Sequence, residues 1–211
     1  MLKIGLTGGI ASGKSVVGEM FVKLGAHLIQ SDAIAHWLME PGRPVHEQIV
    51  QSFGQGILNP DRTINRSKLA EAAFGGPDSS SAPRVEELNT IVHPVVIRYE
   101  NEWMDDIGAR DPHAIAIVEA ALILEAHTAD RFDYLIVVTC TPGQRVERFA
   151  RRHHISEDAA CAEVERRMAA QLPDKDKIKA ADFVIDNSGS RDATEKQVEG
   201  VYSMLCQEIT K

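Results

Sequence analysis

The segment Gly8-Gly9-Ile10-Ala11-Ser12-Gly13-Lys14-Ser15 fits the pattern G-x-x-x-x-G-K-[ST], and each residue type has a physical job. Glycines let a backbone wrap closely round an anion, in conformations that a side chain would forbid. Amides at a helix start, here those of Gly13, Lys14, Ser15 and Val16, favour phosphate oxygens. The Lys14 ammonium suits β- and γ-phosphates, and the Ser15 hydroxyl suits Mg²⁺. An apolar run precedes the segment and a helical pattern follows it, which is the context the pattern requires. The prediction is a nucleoside triphosphate such as ATP. The group that receives the phosphate stays open at this point.

Other chemistry-bearing residues fall at the ends of apolar runs. Asp32 follows one such run, and strand ends on that side of a parallel sheet form the ligand crevice, so Asp32 is expected to face the γ-phosphate. It fits two roles there, general base for an acceptor hydroxyl or water-mediated Mg²⁺ partner. The structural reading is an N-cap for a helix from Ala33 onward. Glu119 stands just beyond the run 115–118, where an acidic residue could assist the metal, and Glu125 follows Leu122-Ile123-Leu124. Each is either a site carboxylate or a solvated one.

Arg145, Arg148, Arg151 and Arg152 lie on one predicted helix, and Arg148 and Arg151, three apart, share a face. Arginines of a mobile lid can neutralise charge on a transferred phosphoryl group. The plainer reading is a solvated face, with Glu147 paired to Arg151. His93 stands out because Pro94 follows it, and the residue before a proline is pushed out of helical geometry, so a helix boundary is expected there. Adjacent His153 and His154 do not share a helical face and predict no metal site.

The elements that must position these groups can be read from periodicity. Residues 2–7 predict a buried strand, 14–24 a helix with Val17, Met20, Phe21 and Leu24 on one face, and 27–30 a second strand. That is a βαβ unit, the building block of parallel sheets. From about 41 to 108 strand signals vanish. Helices are predicted at 44–53, 66–74 and 84–92, with another beginning at Pro94 and a serine-rich loop at 75–81. Strand signals return at 114–118, 134–139 and 183–185, separated by a charged helical region at 143–181. An amphipathic helix over 190–211 closes the chain. Five strands separated by helices predict an α/β doubly wound sheet carrying a helical insertion.

Bulk properties narrow the function classes. The chain has 211 residues, 44% apolar and 26% charged, with a net charge of −8. That size supports one globular domain with an insertion. An acidic balance speaks against nucleic acid as the main partner. Three scattered cysteines, Cys140, Cys161 and Cys206, predict no zinc or redox motif and suit a reducing cytoplasm. No run reaches membrane-spanning length, so no membrane partner is expected. No apolar stripe marks a subunit interface.

Taken together, the residues resemble one family closely, dephospho-coenzyme A kinase. The matching pieces are I-G-L-T-G-G-I-A-S-G-K-S at 4–15, S-D-A-I-A-H at 31–36, E-P-G at 40–42, F-G at 53–54 and I-N-R at 64–66. Leu69, Phe74, L-N-T-I-V-H-P at 88–94 and L-I-L-E at 122–125 follow. Gln144, Arg148, Arg151, Gln171 and A-D-F-V-I-D-N at 181–187 complete the set. The resemblance implies a P-loop kinase core at 1–40 and 109–211, a lid at about 145–175, and a helical substrate-binding insertion at 41–108. It implies transfer of the ATP γ-phosphate to the ribose 3′-hydroxyl of dephospho-coenzyme A, with Mg²⁺, as the final step of coenzyme A synthesis. Lys14, Asp32, Arg148 and Arg151 would be catalytic. Arg66, His93 and Glu125 would line the acceptor side with Asp32, and Asn187 would sit near the adenine.

The chain departs from that pattern in places. Gln30-Ser31-Asp32 keeps only the second of two usual aspartates, His36 replaces an arginine, and Ala121 a proline. Ala11 and Val16 replace a common glycine and threonine, so Ala11 requires a backbone that is not left-handed, and Val16 need offer only its amide. The alternatives are a nucleoside or nucleotide kinase on the same core, or a non-catalytic nucleotide-binding regulator.

Overall fold

The computed structural model describes residues 1–75 and 84–210, so most of the serine-rich stretch at 75–81 lies outside the described residues. The chain forms two compact units, one of residues 1–30 with 104–211, the other of residues 31–103.

The first unit is built on a five-stranded parallel sheet in the order β2-β3-β1-β4-β5. Its strands are β1 (Leu2–Gly8), β2 (His27–Gln30), β3 (Ile115–Glu119), β4 (Tyr134–Thr139) and β5 (Phe183–Asp186). β1 lies at the centre, buried on both faces from Ile4 to Gly8, with Leu2, Ile4 and Leu6 on its apolar face and small residues, Gly5 and Thr7, on the other, where close neighbours fit. A β-carbon on Gly5 would stand 2.8 Å from the Phe132 ring. Parallel pairing demands crossovers, and helices supply them. On one face α1 (Lys14–Lys23) and α9 (Arg191–Ile209) bury Val17, Phe21, Val198 and Leu205 against Ile4, Leu6, Ile117 and Ile136. On the other face Ile123, Leu135 and Val137 form a smaller cluster with Phe132 and Ala181.

The charged helical stretch after β4 folds as three helices: α6 (Pro142–His153), α7 (Glu157–Ala169) and α8 (Asp174–Ala180). Thr141 and Gln144 form a reciprocal cap at the start of α6, satisfying amides that a helix end leaves unpaired. Phe149 and Ala150 of α6 pack on Ala160 and Val164 of α7, with Ile10 and Ala11 against the same cluster.

The second unit is helical: α2 (Ser31–Leu38), α3 (Pro44–Phe53), α4 (Arg66–Phe74) and the first part of α5 (Val85–Arg110). Asn65 caps α4 through the Lys68 amide at 3.1 Å. Two expectations are corrected here. The helices expected on either side of Pro94 are one continuous helix, so His93 sits inside it and not at a boundary. A proline inside a helix forfeits a backbone bond and costs about 3 kcal/mol. Burial of Val92 and Val96 on the flanking turns offsets that cost. Helix α2 begins at Ser31, which leaves Asp32 in its first turn and not at the N-cap.

Candidate active site

Between β1 and α1 the backbone must turn its amides one way and its carbonyls another, and the carbonyls need partners of their own. All five carbonyls from Gly8 to Ser12 have one. Lys14 Nζ donates to Gly8 O at 3.0 Å and to Gly9 O at 3.2 Å. Arg145 Nη1 donates to Ile10 O at 3.1 Å, and the Cys140 thiol faces Ala11 O at 3.7 Å. Ser12 O accepts from Arg148 Nη1 at 3.1 Å and from Asn187 Nδ2 at 2.9 Å. Helix α1 follows at once, and its first turn leaves amides without intrahelical acceptors. Gly13 occupies the left-handed region at φ 96°, and a β-carbon there would stand 2.0 Å from the Asn187 amide nitrogen. Glycine is required at that point on both counts.

Ala11 corrects the condition set by sequence. Its φ is 52°, inside the left-handed region that disfavours a β-carbon. The methyl group packs beside the cluster of Phe149 and Val164, which helps to hold it there.

The outer side chains of the loop are supported from remote elements. Arg148 spends its second nitrogen on Asn187 O at 2.8 Å, and Asn187 is fixed by Thr194 Oγ1 at 3.1 Å. Arg145 is fully buried and pairs with Asp174 of α8 at 2.5 Å. On sequence alone it reads as part of a solvated face, as charged helical runs usually are. The i,i+3 spacing of the two arginines was the available signal. Arg151 is exposed and makes no hydrogen bond or ion pair among the described residues, and the expected Glu147–Arg151 pair is absent among them. An exposed pair of that kind is worth little, so nothing compels it to form.

Beside the helix start lies a carboxylate. Glu119, buried at the end of β3, accepts from Ser15 Oγ at 2.7 Å and from Gln30 Nε2 at 2.9 Å. Glu125 pairs at 2.8 Å with the ammonium of Lys177, which is itself fully buried, and accepts from Leu172 N at 2.9 Å. Burial pushes the Cys140 thiol above its ordinary range, against the opposing cations Arg145 and Arg148.

In the helical unit, Asp32 and His36 are one turn apart on α2. Ser31 Oγ donates to the buried Glu100 carboxylate at 2.6 Å, tying the start of α2 to α5. Partial burial lowers the His36 imidazole below its ordinary range, the Arg66 cation lowers it further, and Asp32 opposes both. Asp32 and Arg66 therefore both lie near enough to act on His36. His93 is half-buried in α5, and no hydrogen bond ties it to them among the described residues.

A family model described as dephospho-CoA kinase matches residues 2–193. The chain belongs to the dephospho-CoA kinase family. A dephospho-CoA kinase of Aquifex aeolicus is 38% identical over 208 residues, covering 99% of this chain and all of that one. A solved structure from Thermus thermophilus superposes with a TM-score of 0.77 at 28% identity, over 97% of each chain. A dephospho-CoA kinase from Campylobacter jejuni, 23% identical with a TM-score of 0.67 over 98% of each chain, shares the fold. Membership places the chain among kinases that use a nucleotide and a small-molecule substrate, and favours neither the nucleoside-kinase nor the regulator alternative.

Proposed function

We propose that this chain transfers the γ-phosphoryl group of ATP to the ribose 3′-hydroxyl of dephospho-coenzyme A, yielding coenzyme A and ADP. The observation that carries the nucleotide half is the loop itself, in which the five carbonyls from Gly8 to Ser12 all face donors. A backbone so held, with the Ser12 amide bonded to Gly9 O, presents the amides at the start of α1 to an anion, with Lys14 beside them. The acceptor follows from the family.

Residues of the loop from Gly8 to Val16 would hold the nucleotide, with Asn187 toward the adenine. Lys14, Arg148 and Arg151 would neutralise charge on the phosphoryl group in flight. Asp32 would take or orient the proton of the acceptor hydroxyl, and Arg66, His93 and Glu125 would serve the acceptor. The Ser15 hydroxyl beside the buried Glu119 carboxylate is a set of hard oxygen donors that suits Mg²⁺. Ser15 and Glu119 would hold the ion, which would supply positive charge against the phosphates there. Free, well-separated thiols at Cys140, Cys161 and Cys206 suit a reducing cytoplasm.

Coupled ADP release tests the proposal, with dephospho-coenzyme A against adenosine and CMP as acceptors. ADP and coenzyme A should appear in step with the first acceptor only. Turnover with another acceptor would overturn the substrate assignment. Asp32→Asn should lower kcat by about 10²-fold or more, the usual worth of a general base. Near-normal turnover with an unchanged pH profile would exclude that role.

A further inference from the structure

We infer that Gln30 is a positioning residue that sets Glu119 for the metal, a step that rests on the Mg²⁺ reading above. The register of the sheet makes the two direct partners, since Gln30 of β2 lies opposite Glu119 of β3. Directly opposed residues put their side chains on the same face, within reach of one another. The contact divides the carboxylate between two tasks. Oε2 accepts from the Gln30 amide at 2.9 Å, and Oε1 accepts from the Ser15 hydroxyl at 2.7 Å.

The choice of residue matters physically. Glu119 is buried, and a buried carboxylate with one oxygen unpaired would be free to rotate toward any other donor. An amide N–H at position 30 pins one oxygen without adding charge. The other oxygen then takes the serine proton, which leaves the lone pairs of Ser15 Oγ for a cation. A second carboxylate at position 30 would stand against Glu119 at hydrogen-bond distance and force the pair to share a proton or bind a cation between them. Glutamine keeps a single negative charge beside Ser15, so that tight metal binding would depend on the phosphates that the nucleotide brings.

The test reads metal binding apart from turnover. Affinity for a fluorescent ADP analogue is measured in EDTA and in saturating Mg²⁺, and the ratio is the metal's contribution. Gln30→Met keeps the side chain's length and removes the donor. It should lower the ratio about tenfold, as loss of an outer-shell partner does, while affinity in EDTA stays within about twofold. Gln30→His keeps an N–H at this position and should retain most of the ratio. In a Glu119→Gln background, Gln30→Met should have no further effect, because its action runs through that carboxylate. An unchanged ratio in Gln30→Met, or the same loss in both backgrounds, would overturn the inference. A wild-type protein whose ADP affinity ignores Mg²⁺ would instead overturn the metal assignment at Ser15, and this inference with it.

Discussion

Arg145 and Asp174 form the pair whose disruption has the most readable consequences. Arg145 is fully buried, its Nη2 on Asp174 and its Nη1 on Ile10 O, while Nε has no partner among the described residues. Asp174 keeps 34% of its side chain exposed. Asp174→Asn preserves the shape and deletes the charge, leaving a buried guanidinium without its counter-ion. Breaking a fully buried pair costs about 3–5 kcal/mol, and partial exposure of Asp174 reduces this to about 2–3 kcal/mol. For a chain of this length each kcal/mol shifts Tm by about 2–4 °C, so a fall of roughly 5–10 °C is expected.

Arg145→Met supplies the control. It removes the charge while keeping an unbranched apolar chain in the site, and leaves Ile10 O without a donor. The double variant should then be more stable than Asp174→Asn alone, since an apolar replacement of a buried pair is often nearly neutral. Differential scanning calorimetry of the four proteins reads the coupling directly. Destabilisations that simply add would refute the reasoning, because they would mean that the two groups do not depend on each other. Because Ile10 belongs to the nucleotide loop, Asp174→Asn should also raise KM for ATP more than it lowers kcat.

Two further predictions concern the loop and the helical unit. Ala11→Gly should not carry the usual penalty of an alanine-to-glycine change. Relief of left-handed strain, about 1–2 kcal/mol, exceeds the entropy that glycine loses and the packing of a half-buried methyl group, leaving a net gain of about 0.5 kcal/mol and a Tm rise of 1–2 °C. A fall of 2 °C or more in a thermal melt would show that the methyl contact governs the loop. The His36 effect has a definite sign. Its folded pKa lies below the ordinary 6.5, so the unfolded chain binds more protons between the two values, and stability falls as pH drops from 6.5 to the folded value. Arg66→Gln should raise the His36 pKa in an imidazole NMR titration, and an unchanged or lower value would refute the Arg66 contribution.

The local parts of this fold are legible in the sequence because their signals are local. The run to Gly8, the pattern of glycines and lysine, and the amphipathic spacing from Val17 to Leu24 each depend on a few neighbouring residues. Strand β2 ends at Gln30, where the apolar run stops. Features that depend on distant partners are not legible in the same way. Pro94 reads as a break because the rule is local, yet the buried valines on either side carry α5 through it. Arg145 reads as solvated because its counter-ion lies 29 residues away on another helix. The strand order, with β3 between β2 and β1, is a matter of non-local pairing that no window of sequence contains.

The same distinction separates the chemistry of the loop from its conformation. The glycines, Lys14 and Ser15 announce a phosphate-binding function from eight consecutive residues. What holds those residues in shape comes from elsewhere: Cys140 after β4, Arg145 and Arg148 on α6, Asn187 after β5 and Thr194 on α9. Arg148 and Asn187, singled out as nucleotide contacts, are in the structure also the clamps on Ser12 O. A guanidinium has five N–H donors, so one arginine can hold the loop and still address a phosphate. Under the proposed phosphate role, substituting Arg148 would disturb loop geometry and phosphate charge together. The loss of activity alone would not distinguish the two. Nucleotide affinity measured without Mg²⁺, set beside kcat, separates the clamp from the charge.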